Sequence, residues 1–241
     1  MALVLQGTVT TFDPALPVAA DAAVYVGDDG RIEAVQHRAD PAPAGYGPAP
    51  RVRTGGTIYP GLIDLHSHLA YNCRSLWAPP GRTEPFTSRD QWPRLPAYAT
   101  DIRQPTLALT QAASKAVLKY VEAKAVFGGV TAIQGSAVLT RPYEGWLARN
   151  VEFETFATGR RSVFQSVRTL DGDAFATARE HMATGDAFIY HLAEGTAPRL
   201  VREYEDLRTH DCLFPQLVAI HATALGGPEY DDWGPHGSSM V

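Results

Sequence analysis

The segment Leu62-Ile-Asp-Leu-His-Ser-His-Leu69 spaces Asp64, His66 and His68 two residues apart. On a strand, that period turns all three to one face and leaves Ile63, Leu65 and Leu69 on the other. Strand residues two apart lie roughly 6.5 Å apart along the backbone, so two imidazoles can converge on one ion at a Zn–N distance of about 2.0–2.1 Å. The competing reading is a pair of exposed or hydrogen-bonded histidines on an edge strand. A second candidate is Phe188-Ile-Tyr-His-Leu-Ala-Glu-Gly195, an apolar run ending in His191 with Glu194 three residues on. A continued strand would split these two between its faces. A shared site therefore requires the strand to end near Leu192 and the chain to turn Glu194 inward, a turn that Gly195 favours. Otherwise His191 is a core histidine satisfied by backbone and Glu194 a solvated loop carboxylate. The third candidate is His221, near the C-terminal end of the apolar run Leu217-Val-Ala-Ile-His-Ala-Thr-Ala-Leu225. Its alternative is a buried structural histidine. His37, His181, His210 and His236 fall in a β unit, a helical stretch, a helix end and a Gly-Pro-rich loop, and read as surface or structural.

The elements that must position these groups fall into two parts. Residues 1–57 read as short strands, Ala2–Gln6, Thr8–Phe12, Ala22–Val26 and Ile32–Gln36, with Gly27-Asp-Asp-Gly30 as a hairpin signal and a proline-rich loop at 39–50. From residue 58 to 241, strand-like apolar runs alternate with longer helical stretches, which argues βα units and a parallel sheet. Helices are expected at about 106–127, 173–183 and 197–209, and strands at 130–135, 162–167, 186–192 and 216–222. The 241 residues, 45% of them hydrophobic and 20% charged, are enough for a substantial core and argue against disorder. With a net charge of −5 and no basic run, nothing marks a nucleic-acid surface. No signal peptide or long apolar span is read, so no membrane partner is expected and the cytoplasm is the expected compartment. Cys73 and Cys212 stand far apart outside any C-x-x-C pattern, which argues against a disulfide framework or a cysteine zinc site.

The run Thr57-Ile-Tyr-Pro-Gly-Leu-Ile-Asp-Leu-His-Ser-His-Leu69 resembles the entry strand of the amidohydrolase superfamily, and Ala22–Gln36 resembles the first hairpin of its small β-sandwich. The resemblance implies an α/β fold, an incomplete (β/α)8 TIM-like barrel preceded by part of a β-sandwich. It implies His66, His68 and His191 as metal ligands, with Glu194 shuttling protons as in the deaminase-like branch. It also implies that His221 orients a metal-activated water or polarises the developing oxyanion. Binuclear members commonly bridge two ions with a carboxylated lysine. The only lysines here are Lys115, Lys119 and Lys124, all in the long helical stretch, which favours a mononuclear site holding one divalent ion, zinc ahead of iron. Two ions would require a bridging carboxylate. The reaction implied is hydrolysis of a C–N bond in a cyclic amide, amidine or aminated heterocycle, with a small-molecule substrate. The rival class is a non-catalytic binding or assembly module that keeps the fold.

Between His68 and the long helix, about 35 residues carry Trp77, Phe86, Trp92, Tyr98, Arg74, Arg82 and Arg89. This loop is either a substrate-pocket wall, whose Arg74 would then act on KM for an anionic substrate, or a packing arm or dimer contact. A complete barrel of about 250 residues starting near residue 58 would run well past 241. The closing Gly-Ser-Ser-Met-Val reads as the opening of another strand, and the aspartate that the family places on its last strand has no counterpart. A fragment, inactive alone, is therefore expected. The β unit and exposed sheet edges are compatible with a homodimer. Counting strands from His66 gives one fewer than the family has before His191, and a cryptic strand at 151–157 is expected to fill that place.

Overall fold

The computed structural model describes residues 1–135, 145–153 and 162–241. It divides into two compact units, Met1–Gly61 and Leu62–Val241. Among the described residues, no helix is long and apolar enough to cross a membrane.

The first unit is a four-stranded sheet in the order β3-β2-β1-β4, made of β1 (Leu3–Thr10), β2 (Val18–Val26), β3 (Ile32–His37) and β4 (Arg51–Ile58). β1 pairs antiparallel with β2 and parallel with β4. Alternation gives both faces an apolar cluster. Val4, Ala23 and Tyr25 lie under Tyr46 of the proline-rich loop, and Val9, Ala19, Ala22 and Val24 lie on the opposite face. The sequence divides β1 into two strands at Gly7, but the structure runs one strand through it with a register irregularity between Gly7 and Val9. A Cβ at Gly7 would lie 2.5 Å from Thr54 Oγ1 and 2.7 Å from the Gly56 carbonyl, so this glycine marks a close approach of β4 rather than a turn.

The second unit alternates strands with helices and builds two parallel sheets, β5-β6-β7 and β8-β9-β10-β11. The strands are β5 (Leu62–Asp64), β6 (Val130–Ile133), β7 (Arg149–Asn150), β8 (Val163–Ser166), β9 (Ala187–Leu192), β10 (Leu217–His221) and β11 (Ser239–Met240). One helical turn, α1 (Pro96–Tyr98), precedes the long α2 (Gln104–Phe127), and α3 (Gly172–Ala183), α4 (Val201–Thr209) and α5 (Gly227–Trp233) follow. These are the βα units of a partial (β/α) barrel. Lys115, Lys119 and Lys124 all lie within α2.

β9 shows how the sequence fixes the layers. Phe188, Tyr190 and Leu192 share a core with Phe175 and Met182 of α3 and Tyr204 and Leu207 of α4. The alternate residues Ile189 and His191 face the other way, and both are buried. A strand flanked by parallel neighbours and covered on both faces reads as a continuous apolar run, which is why this one was visible in the sequence.

β7 was not visible in the same way. It consists of Arg149 and Asn150, paired with Ala132 and Ile133, and carries no hydrophobic run. β7 takes the place before His191 that the sequence assigned to a strand at 151–157, and among the described residues β9 is the fifth strand counted from β5. Val151–Phe153 form a turn, and 154–157 lie outside the described residues. The closing Ser239 and Met240 pair in parallel with Val218 and Ala219, as a further strand.

Candidate metal centre

The His66–His68 pair is delivered by a turn rather than by a strand. β5 ends at Asp64, whose carbonyl accepts from the Gln134 N–H at 2.8 Å. The next rung is made by Ser67 N–H to the Gln134 carbonyl, also at 2.8 Å. Two residues, Leu65 and His66, thus lie opposite one residue of the neighbour, and the extended alternation is lost. Asp64 turns back to accept the His66 N–H through Oδ1 at 3.2 Å, which takes it out of the imidazole cluster. A Cβ at Gly135 would lie 1.8 Å from the Ser67 carbonyl, so only glycine allows the two backbones to approach there. The outcome expected from period two still arises by this other route, with the His66 and His68 rings 4.8 Å apart.

His191 ends the inward row of β9. Ala193 follows in the left-handed region at φ 49° and Gly195 at φ +141°, which brings Glu194 back toward the histidine. Glu194 Oε2 lies 3.3 Å from His191 Nδ1 and 3.6 Å from His221 Nε2. His221, the last residue of β10, also sits at positive φ, 75°. Thr223 clips the two loops together, accepting from Gly195 N–H at 2.8 Å and donating to the Gly195 carbonyl at 2.9 Å. The His191 ring lies 4.6 Å from that of His66, 5.2 Å from that of His68 and 5.2 Å from that of His221. Ligand atoms of His66, His68 and His191 all fall within 4.8 Å of one another, and so do those of His191, Glu194 and His221.

The tautomers follow from the partners. Gln134 Nε2 donates to the buried Glu152 carboxylate at 2.9 Å, which fixes the amide with its oxygen toward His66. That oxygen lies 2.9 Å from His66 Nδ1, so Nδ1 carries the proton. Glu194 plays the same part for His191. Both Nε2 atoms are left as lone pairs, and both are buried without a hydrogen-bond partner among the described residues. A buried polar atom without a partner is costly unless something binds it, and two imidazole lone pairs beside a third imidazole are a donor set suited to zinc. The residues therefore fit a divalent ion.

The electrostatics agree. Burial first, and then the neighbouring histidine charges, push His68 down to about 4 even though it opens onto a cleft. His66 is lowered chiefly by burial, against the hydrogen bond that it donates to Gln134. His221 is lowered chiefly by burial, against the pull of Glu194. Burial would raise the Glu194 carboxyl, but the His191 hydrogen bond and the charges of His221, His191 and Arg89 outweigh it, so the group stays below its ordinary value. At neutral pH these three imidazoles are uncharged and the carboxylate is ionised.

The site opens into a cleft of about 1020 Å³ lined by all four histidines and Glu194. Part of the loop after His68 forms its wall, through Tyr71, Trp92, Arg94 and Tyr98. The three arginines singled out in that loop are used otherwise. Arg74 donates to the Asp101 carbonyl at 3.0 Å and lines a separate pocket, and Arg82 lies over the Phe86 ring. Arg89 borders the cleft, but its guanidinium is bound to Glu203 at 2.9 and 3.1 Å and donates to the His191 carbonyl at 3.0 Å. It is a brace behind the site. Glu203 completes it by accepting the Ala193 N–H at 2.8 Å.

Sequence reasoning missed Gln134, Glu152, Arg89 as a brace, and Glu203. The available signals were a glutamine directly after the apolar run of β6 and a carboxylate on the buried stripe of α4, beside Tyr204 and Leu207.

A triazine hydrolase and an atrazine chlorohydrolase complexed with zinc and atraton, both from Arthrobacter aurescens, are similar in structure. Their TM-scores are 0.68 and 0.67 at 14% identity, and each comparison covers 99% of this chain and 64% of the other. An adenosine deaminase from Xanthomonas campestris with bound zinc gives 0.51 at 18% identity, over 99% of this chain and 62% of the other. These likenesses show the fold, and the chain spans less than two thirds of each of these proteins. No protein-family model and no curated protein matches the sequence.

Replacing the Gln134 acceptor should leave the fold intact and weaken zinc binding. Gln134→Leu is expected to lower zinc affinity by about 10–100-fold in competition with a chelator, and wild-type affinity would contradict the tautomer argument. The histidines also set an acid limit on stability. Their folded pKa values lie below the ordinary 6.5, so as pH falls the unfolded chain takes up protons first. For His68, stability is full above 6.5 and is lost progressively down to about 4. Glu194 acts in the same direction, losing its contribution as pH falls from the ordinary 4.5 through its lower folded value. Urea midpoints of the metal-free protein should therefore fall steadily from pH about 7 to pH about 4, with a shallower fall in His68→Asn. A flat profile would contradict this.

Proposed function

We propose that this chain carries the active site of a metal-dependent hydrolase of the amidohydrolase superfamily. The reaction is cleavage of a C–N bond in a cyclic amide, amidine or aminated heterocycle. The observation that carries the reading is the pair of Nε2 atoms on His66 and His191, buried and without a partner among the described residues, set beside His68, with Glu194 on the Nδ1 side of His191. His66, His68 and His191 would hold one zinc ion. When bound, zinc supplies Lewis acidity that makes water reactive near neutral pH. The solved zinc-containing neighbours, a chlorohydrolase and a deaminase by name, support hydrolysis as the reaction class.

The chain's own groups supply the proton movements. Glu194, kept ionised, takes a proton from the attacking water at Oε2 as the water oxygen bonds to the sp² carbon of the substrate. The same carboxyl then returns the proton to the departing nitrogen as the C–N bond breaks, so the sum is substrate plus water. His221 Nε2, partly open to the cleft, orients the water or donates to the oxyanion that develops on the attacked carbon. The brace of Arg89 and Glu203 holds the end of β9, so Glu194 swings little as it changes charge.

Elemental mass spectrometry on protein reconstituted with zinc should give about one ion per chain, lost in His66→Ala with circular dichroism unchanged. Glu194→Gln should keep its zinc and lose about 100-fold or more of any turnover that the zinc-loaded chain shows, the scale of general acid–base catalysis. Zinc at two per chain would favour a binuclear cyclic amidase. Absence of bound metal would overturn the reading and put a non-catalytic binding or assembly module in its place. Release of ammonia would mark a deaminase, and its absence a ring-opening amidase.

A further inference from the structure

The charged groups lining the cleft over the histidines divide into those already engaged and those that are not. Arg89 is bound to Glu203. Asp90 accepts from Ser88 Oγ at 3.1 Å and faces Arg199 at 3.6 Å. Glu194 lies between two histidines. Two guanidinium groups remain. Arg94 closes the short turn Trp92–Arg94, and Arg168 lies just beyond β8, so they reach the same cleft from separate parts of the chain. Both are exposed, and neither side chain has an ion pair or hydrogen bond among the described residues.

Unpaired arginines on a convex surface are ordinary solvated groups. Here two line one concavity in a chain of net charge −5, beside an apolar wall of Trp92, Pro93 and Tyr98. Ligand clefts combine a largely apolar wall with a few polar groups that set orientation. The planar guanidinium fork matches a carboxylate in shape as well as in charge. No uncommitted carboxylate lines this cleft among the described residues, so an anionic substituent would meet two free positive charges and no free negative one.

We propose that Arg94 and Arg168 form an anion subsite and that the ring substrate of this cleft carries a carboxylate, held on the arginines while the ring lies against Trp92 and Tyr98. The place of this inference in catalysis rests on the hydrolase reading, but its test does not.

The probes are isonicotinate and isonicotinamide, which share a ring and differ in charge. Binding is measured by calorimetry on the full chain freed of metal by chelation, at a pH of about 8 where free imidazole is neutral. Wild type should prefer the carboxylate by about tenfold, the combined worth of two exposed charge pairs. The preference should shrink severalfold in Arg94→Gln and in Arg168→Gln and vanish in the double variant. Should a variant fold poorly, raising salt must erase the wild-type preference while leaving amide binding unchanged. Equal affinities, binding of neither probe, or a preference untouched by the double variant or by salt would each overturn the subsite. Zinc uptake after the same chelated preparations are reconstituted with zinc separates the two claims. Zinc with no carboxylate preference sinks the subsite alone, whereas an arginine-dependent preference in a chain that takes up no zinc sinks the hydrolase reading alone.

Discussion

Two Nδ1–H groups decide what this site is. In His66 the proton is committed to the Gln134 amide oxygen, and in His191 to the Glu194 carboxylate. Each commitment fixes a tautomer and leaves an Nε2 lone pair on the other side of the ring. Neither lone pair meets a hydrogen-bond donor among the described residues. The first of these depends on groups farther out: Glu152 holds the Gln134 amide in orientation and itself accepts from Gln165 Nε2 at 3.1 Å. The site is therefore a lone-pair cluster supported from behind. A partner group tying the second nitrogen of an imidazole is the usual way in which a metal-binding histidine is oriented.

The second constraint is the brace beneath β9. Arg89 and Glu203 are both about nine-tenths buried, and between them they take the His191 carbonyl and the Ala193 N–H, the backbone groups at the point where the strand ends. Thr169 accepts from the same guanidinium at 3.1 Å. Removing one partner of such a pair typically costs about 3–5 kcal/mol, because the other charge is left buried and alone. Its structural consequence is local: the loop after His68 is tied to the turn that aims Glu194. The backbone there is close enough that a Cβ at Gly195 would lie 2.2 Å from the Thr87 carbonyl. The residue that sets the direction of the turn thus also sets how closely the loop can seat.

The sequence made the chemistry-bearing residues and the apolar strands legible, and for one reason. Both leave local patterns: paired histidines, a His-x-x-Glu ahead of a glycine, and the buried runs of β9 and β10. The long helix α2 was legible from its spacing and its terminal Gly128-Gly129. What stayed hidden depends on contacts between distant residues. Gln134 and Glu152 are separated from His66 by 68 and more residues and carry no period of their own. β7 is two polar residues whose strand character comes only from pairing with β6. The loop carrying Arg89 read as either a pocket wall or a packing arm, because a loop arginine is ordinarily solvated and only the fold brings Glu203 to it. His66 and His68 were placed on one strand face, whereas the chain leaves the strand at Asp64 and reaches the same convergence through a turn.

On the proposed reading, imidazoles of this chain bind zinc through the lone pairs that their partners leave free. X-ray absorption at the zinc edge tests it most directly, on protein reconstituted with zinc in non-coordinating buffer. The expected first shell holds nitrogen and oxygen scatterers only, at about 2.0–2.1 Å, with the outer-shell pattern of imidazole rings diminished in His191→Ala. Sulfur scattering at about 2.3 Å, or a spectrum without imidazole features, would contradict it.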